Sequence, residues 1–81
     1  MFEVYGAPTC TWCEKAKWLL DYHKKPYTYI DVTESADIQS AFFRRFPKTK
    51  TVPQIVFDGH DRGYEVHIGG YEDLYRWLTD A

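Results

Sequence analysis

The chain has 81 residues, 44% of them hydrophobic and 19% aromatic, which suffices for the core of one domain over residues 1–81 and argues against disorder. The formal net charge of −2 gives no general electrostatic case for nucleic-acid binding, and no apolar run approaches membrane-spanning length. Residues 1–4 do not begin a charged and then apolar leader, so we expect no secretory signal and a cytoplasmic location.

The pattern of apolar residues predicts four strands and three helices. Short runs rich in aromatic and β-branched residues predict strands, and apolar positions that recur every three or four residues predict helices. In chain order, the predictions are a strand at 2–5, a helix at 11–22, a strand at 27–32, a helix at about 36–46, strands at 52–57 and 65–68, and a helix at 71–79. Pro26, Pro47 and the pair Gly69 and Gly70 break the chain between elements.

The second helix carries its own start and packing signals. Thr33 and Ser35 are both candidate N-caps, because a hydroxyl there can accept a free N–H of the first turn. The inward side of the helix is expected to hold Ile38, Ala41, Phe42 and Phe46.

The order βαβαββα predicts an α/β fold. A strand, a helix and a second strand give a parallel pair with a right-handed crossover, whereas the last two strands must form an antiparallel hairpin. We therefore expect a four-stranded mixed sheet with helices on both faces.

The only two cysteines, Cys10 and Cys13, stand between the first strand and the first helix. A Cys-x-x-Cys pair at such a junction is typical of redox motifs, because one thiolate attacks a disulfide and the second resolves the mixed disulfide. The helix N-terminus stabilises an anion. We therefore expect Cys10 to be the low-pKa nucleophile and Cys13 the resolving thiol.

Three other interpretations of the cysteine pair remain open on spacing alone. The pair could be a structural disulfide, although so small a loop adds little chain-entropy stabilisation. It could be half of a zinc site completed by His60 and His67, although their spacing is wider than the usual finger pattern. One thiolate from each of two chains could also hold an iron–sulfur cluster.

Three segments of the chain carry motifs in a fixed order: residues 10–20 (CTWCEKAKWLL), residues 51–55 (TVPQI) and residues 67–74 (HIGGYEDL). In that order they resemble the active-site helix, the Thr-Val-Pro segment and the His-Ile-Gly-Gly-x-x-Asp-Leu segment of the glutaredoxin family. The resemblance covers essentially the whole chain. It implies a thioredoxin-like fold and an enzyme that uses glutathione to reduce protein disulfides and glutathione mixed disulfides, with ribonucleotide reductase as a plausible protein substrate.

The resemblance also implies roles for single residues. Pro53 is expected to be cis, which leaves the Val52 backbone free to pair with the cysteinyl part of glutathione. Glu72 matches a position that contacts the γ-glutamyl carboxylate through its N–H, and Asp73 matches the acid that receives the α-amino group. Lys50 matches a position that meets the glycine carboxylate. The full set of implied glutathione contacts is Trp12, Lys50, Thr51, Val52, Pro53, Gly70, Tyr71, Glu72 and Asp73.

Each of these residues also has a purely structural interpretation. In that interpretation, Pro53 would be an ordinary trans proline at a strand start, and the glycines and acids would follow common helix-start rules. Trp12 fills the family's usual tyrosine position, but by pattern alone it is equally a core residue of the first helix. Lys50 would then belong to a solvated basic stretch.

Two departures from the family pattern keep alternatives open. Residues 6–9 lack the lysine that many glutaredoxins carry before the first cysteine, and the segment 58–66 is longer than the family's usual hairpin. The missing lysine keeps open a redoxin reduced by thioredoxin reductase, and the longer segment is interpreted as a plain loop or a partner contact. The other alternative function, which follows from the cysteine pair, is a glutathione-dependent iron–sulfur module with one Cys10 from each of two chains. We expect no metal cofactor and a monomer.

Overall fold

The computed structural model describes residues 1–49, 51–59 and 63–79. The elements are β1 (Phe2–Gly6), α1 (Thr11–Tyr22), β2 (Tyr27–Asp31), α2 (Ala36–Arg45), β3 (Gln54–Gly59), β4 (Tyr64–Gly69) and α3 (Tyr71–Thr79). The predicted order βαβαββα is confirmed. β3 begins two residues later than predicted, after Pro53, because proline has no N–H to give to a strand ladder.

The four strands form one mixed sheet in the order β2-β1-β3-β4. β1 runs parallel to β2 and antiparallel to β3, and β3 runs antiparallel to β4. Because Tyr5 near the end of β1 faces Gln54 at the start of β3, the loop after β1 and the segment before β3 lie at one end of the sheet. Gly69 at the end of β4 faces Ile55, so the start of α3 reaches the same end.

One face of the sheet packs against α1 and α3. The side chains of Val4, Leu20, Ile55 and Leu74 are fully buried there, and Phe2 extends the cluster. Alternation along each strand places every second residue on this face.

The opposite face packs against α2. Its core consists of Val32, Phe42, Phe46 and Val56, with the ring of Tyr5 beside them. The prediction for Ala41 is wrong, because that residue is exposed. Two phenylalanines four residues apart already cover the sheet, and the position before Phe42 is turned about 100° away from that stripe.

Both ends of α2 are held by side chains. Ser35 is the N-cap, with its hydroxyl accepting the N–H of Ile38 at 3.1 Å. Thr33 instead bonds the Asp31 carboxylate through its N–H and hydroxyl. At the other end, Arg45 bonds Glu3 of β1 at 3.2 Å and Glu65 of β4 at 2.8 Å, so it ties the helix to the sheet.

None of the helices in the described part of the chain is both long and apolar enough to cross a membrane.

Candidate active site

Cys10 and Cys13 form a disulfide at the start of α1, with their Cα atoms 5.2 Å apart. Cys10 is the N-cap of the helix, and its sulfur accepts the N–H of Cys13 at 3.1 Å. Cys13 is fully buried beneath it, whereas Cys10 is partly exposed. An incoming sulfur therefore reaches Cys10 first, at the point where the unpaired N–H groups of the helix favour negative charge.

The loop that delivers Cys10 is held from β2. The hydroxyl of Tyr29 donates to the carbonyl oxygen of Ala7 at 3.2 Å, and the Lys17 ammonium lies over the Tyr29 ring. Burial raises the pKa of Tyr29 above its ordinary value of 10.0, which keeps the hydroxyl protonated as a donor. Gly6 must be small, because a Cβ there would run into the Tyr29 ring.

Val52 lies directly beside the reactive sulfur. Its carbonyl oxygen is 3.7 Å from Cys10 Sγ, and the peptide bond from Val52 to Pro53 is cis, as the resemblance implies. Val52 precedes Gln54, the first residue of β3 in register with β1. The Val52 backbone therefore lies just beyond the end of the β1–β3 ladder, where an extended ligand could pair with it.

Two aromatic rings border the site. Trp12 is 50% exposed, and its ring centroid lies 5.5 Å from that of Tyr71. The Lys15 ammonium rests 4.2 Å from the Trp12 ring centroid. The interpretation of Trp12 as a core residue is therefore wrong, and the exposed aromatic beside the cysteines is confirmed.

The turn into α3 depends on one glycine in particular. Gly69 has φ +118°, and a Cβ there would overlap with the Asp73 carboxylate. That carboxylate accepts the N–H of Gly70 at 3.1 Å, and among the described residues a Cβ on Gly70 would meet only the Pro53 carbonyl oxygen at 3.8 Å. Gly69 is thus the one of the two glycines whose backbone conformation requires glycine.

These segments enclose a cavity of about 460 Å³. It is lined by Trp12, Thr49, Thr51, Val52, Pro53, Gln54, His67, Gly69, Gly70, Tyr71, Glu72 and Asp73. Every predicted glutathione contact among the described residues lines it. Lys50 lies outside the described residues, so its predicted contact with the glycine carboxylate stays a prediction.

The sequence interpretation assigned no role to Gln54 and considered His67 only as a candidate zinc ligand. Gln54 is a buried amide, 5% exposed, and its carbonyl oxygen lies 2.7 Å from Nε2 of His67. A polar residue inside an apolar strand is a signal that could have pointed to Gln54, because a buried amide needs partners. The partner could not be foreseen, since it depends on the register of β3 and β4.

The described residues do not supply the two further ligands that a zinc site at the cysteine pair would need. His67 is engaged with Gln54, and residues 1–49, 51–59 and 63–79 hold no cluster of three metal-ligating side chains. His60, the other predicted ligand, lies outside those ranges.

Comparison with known proteins decides the family. The family model for glutaredoxin matches residues 2–61. The chain belongs to the glutaredoxin family. Glutaredoxin 1 of Rickettsia bellii is 39% identical over 75 residues, which cover 89% of this chain and 70% of that relative.

Solved glutaredoxins share the fold over nearly the full chain. The solution structure of a Brucella melitensis glutaredoxin has a TM-score of 0.73 and 30% identity, covering 99% of this chain and 79% of the other. A buckwheat glutaredoxin, crystallised as a complex with glutathione, has a TM-score of 0.74 and 27% identity, covering 98% and 68%. The thioredoxin-like α/β fold is confirmed. As a glutaredoxin with a redox-active Cys-x-x-Cys pair, this protein is a thiol–disulfide oxidoreductase.

Proposed function

We propose that this glutaredoxin uses glutathione to reduce protein disulfides and glutathione mixed disulfides. The observation that carries the proposal is the cavity next to Cys10, where the Val52 backbone and the N-terminus of α3 meet. The structurally similar buckwheat glutaredoxin was crystallised as a complex with glutathione, which supports the same ligand here.

In this proposal, the parts of the cavity match the parts of the tripeptide. The cysteinyl backbone pairs with Val52, which brings the glutathione sulfur to Cys10. The γ-glutamyl carboxylate takes the N–H groups at the start of α3, including that of Glu72, and the Asp73 carboxylate receives the α-amino group. Lys50 is the proposed cation for the glycine carboxylate.

The monothiol route needs Cys10 alone. Its thiolate attacks the glutathione sulfur of a mixed disulfide, so the sulfur–sulfur bond to the protein breaks and the protein thiolate leaves. A second glutathione thiolate then attacks the glutathione sulfur bound to Cys10. Oxidised glutathione leaves, and the Cys10 thiolate is restored.

The dithiol route also needs Cys13. Cys10 attacks one sulfur of a protein disulfide, and Cys13 then attacks the Cys10 sulfur, which releases the reduced protein and leaves the Cys10–Cys13 disulfide. Two glutathione molecules reduce that disulfide. We further propose ribonucleotide reductase as a protein substrate and the cytoplasm as the location, since a pair that must cycle suits a reducing compartment.

The test compares two sources of electrons. Reduction of a glutathione mixed disulfide is followed through NADPH, once with glutathione and glutathione reductase and once with thioredoxin reductase. Turnover with the glutathione system alone is the expected result. Turnover with thioredoxin reductase alone would contradict the proposal and would favour the redoxin alternative, which the missing lysine in residues 6–9 keeps open.

A further inference from the structure

Three residues on neighbouring segments form a chain of hydrogen bonds behind Val52, which we call the Gln54 relay: His67, Gln54 and Thr51. Nε2 of His67 lies 2.7 Å from the side-chain oxygen of Gln54. The amide nitrogen of Gln54 donates to the carbonyl oxygen of Thr51 at 3.0 Å and also reaches its hydroxyl at 3.4 Å. The relay thus links β4 through β3 to the segment that holds Val52.

The direction of each bond follows from what the groups can do. A backbone carbonyl oxygen only accepts, so the NH2 group of Gln54 must face Thr51. The Gln54 carbonyl oxygen then faces His67, and Nε2 of His67 must carry the proton it donates. Both hydrogen bonds therefore have a fixed direction: the imidazole N–H of His67 donates to Gln54, and the amide of Gln54 donates to the Thr51 carbonyl oxygen.

The surroundings hold both side chains of the relay in place. Gln54 is 5% exposed, and a buried amide is costly unless both of its ends are bonded. The His67 ring packs against the buried ring of Phe46, with centroids 4.5 Å apart. His67 is itself exposed, and this contact with Phe46, the C-cap of α2, holds its ring while its N–H reaches Gln54.

The relay also fixes a group that it does not touch. The Thr51 carbonyl and the Val52 N–H belong to one planar trans peptide unit and point in opposite directions. Holding the Thr51 oxygen on Gln54 therefore turns the Val52 N–H away from Gln54. Val52 lines the cavity, with its own carbonyl oxygen 3.7 Å from Cys10 Sγ.

We propose that His67 and Gln54 are positioning residues that hold the Val52 backbone in the orientation in which it pairs with glutathione. The inference rests on the proposed function, because Val52 is the proposed partner of the cysteinyl backbone. The inference adds His67 and Gln54 to the proposed function as residues that act through the Val52 backbone and not through either cysteine sulfur.

Three variants test the proposal through turnover. His67→Leu removes the donor to Gln54, His67→Gln keeps an N–H donor of similar reach, and Gln54→Met removes the bond to Thr51 with a side chain of similar shape. For His67→Leu and Gln54→Met, KM for a glutathione mixed disulfide is expected to rise about three- to tenfold, the factor for one lost hydrogen bond, with kcat within about twofold. His67→Gln is expected to restore KM. His23→Leu is the matched control at the end of α1, away from the cavity.

A second measurement does not depend on glutathione turnover. In the reduced protein, the backbone amide resonances of Thr51 and Val52 are expected to move in His67→Leu and to return in His67→Gln, while the rate of Cys10 alkylation stays unchanged. A KM unchanged in both His67→Leu and Gln54→Met, a His67→Gln variant as impaired as His67→Leu, or unmoved Val52 resonances would overturn the relay. If the unmodified protein shows no glutathione turnover, the proposed function and the ligand role of the relay fail together, and the resonances still decide whether the relay orients Val52.

Discussion

The sulfur of Cys10 caps α1 and is also the exposed member of the cysteine pair. Its contact with the Cys13 N–H and its place at the head of the helix both favour a thiolate over a thiol. Cys13 is fully buried, so an external disulfide does not reach it, and it acts on the Cys10 sulfur after a partner has become attached there. Burial therefore separates the roles of two residues that are chemically identical.

Serine substitutions are expected to separate the two routes. Cys13→Ser keeps reduction of glutathione mixed disulfides, because the monothiol route never uses the second sulfur, but it loses reduction of protein disulfides by the dithiol route. Cys10→Ser loses both. The measurement is steady-state turnover on one substrate of each kind, and residual turnover in Cys10→Ser would contradict the assignment of the nucleophile.

Gly69 and Gly70 are adjacent but are constrained differently. Gly69→Ser is expected to lower the free energy of unfolding by about 1–3 kcal/mol, because it forces a side chain into positive φ and against Asp73. Gly70→Ser is the matched control. Serine is a good N-cap and has room there, so it is expected to change stability by less than about 0.5 kcal/mol. Urea unfolding measures both, and equal losses would contradict the distinction.

At the scale of elements, the site consists of the ends of several segments that meet at one end of the sheet. β1 delivers the loop to Cys10, the start of β3 carries Val52, and the end of β4 leads into α3. β2 takes part through Tyr29, whose hydroxyl holds the loop before Cys10. The geometry of the cavity therefore depends on strands that contribute no reactive group.

The Tyr29 bond predicts how stability changes at alkaline pH. Burial raises its pKa above 10.0 in the folded protein, so above about pH 10 the folded state holds a proton that the unfolded state has lost. The free energy of unfolding is therefore expected to fall as the pH rises through that range.

Tyr29→Phe is the test, with Tyr22→Phe on the exposed side of α1 as its control. The phenylalanine variant is expected to be less stable by about 0.5–1.5 kcal/mol at neutral pH and to lose less stability between about pH 9 and 11. Denaturant titrations across that range measure the slope. An unchanged slope in Tyr29→Phe would show that this tyrosine does not carry the effect.

At the scale of the whole molecule, local patterns predicted the elements, their order and the mixed sheet. Helical spacing, strand composition and the breaks at proline and glycine are local properties, so they are readable from the chain alone. The Gln54 relay could not be predicted, because it depends on which residue of β4 faces β3, and the register shifts between Ile55 and Val56. The greater constraint at Gly69 likewise depends on where the Asp73 side chain lies.

The cysteine motif alone left three interpretations open beside the redox pair, and the combination of three motifs favoured the redox pair. Val52 and the start of α3 are more than forty residues from Cys10 in the sequence, yet they line the cavity at its side. We expect the purified protein to be a colourless monomer by light scattering and absorbance. A brown dimer would instead favour the iron–sulfur alternative.

The most direct test of the glutathione proposal uses Cys13→Ser with one disulfide trapped on Cys10. Oxidised glutathione forms the glutathione adduct and releases one glutathione, and a methylthio adduct made with a methanethiosulfonate is the matched control. The account predicts that the amide resonances of Val52, Glu72 and Asp73 move with the glutathione adduct and far less with the methylthio adduct. Equal changes with both adducts would contradict it, since the tripeptide would then be attached to the sulfur without occupying the cavity.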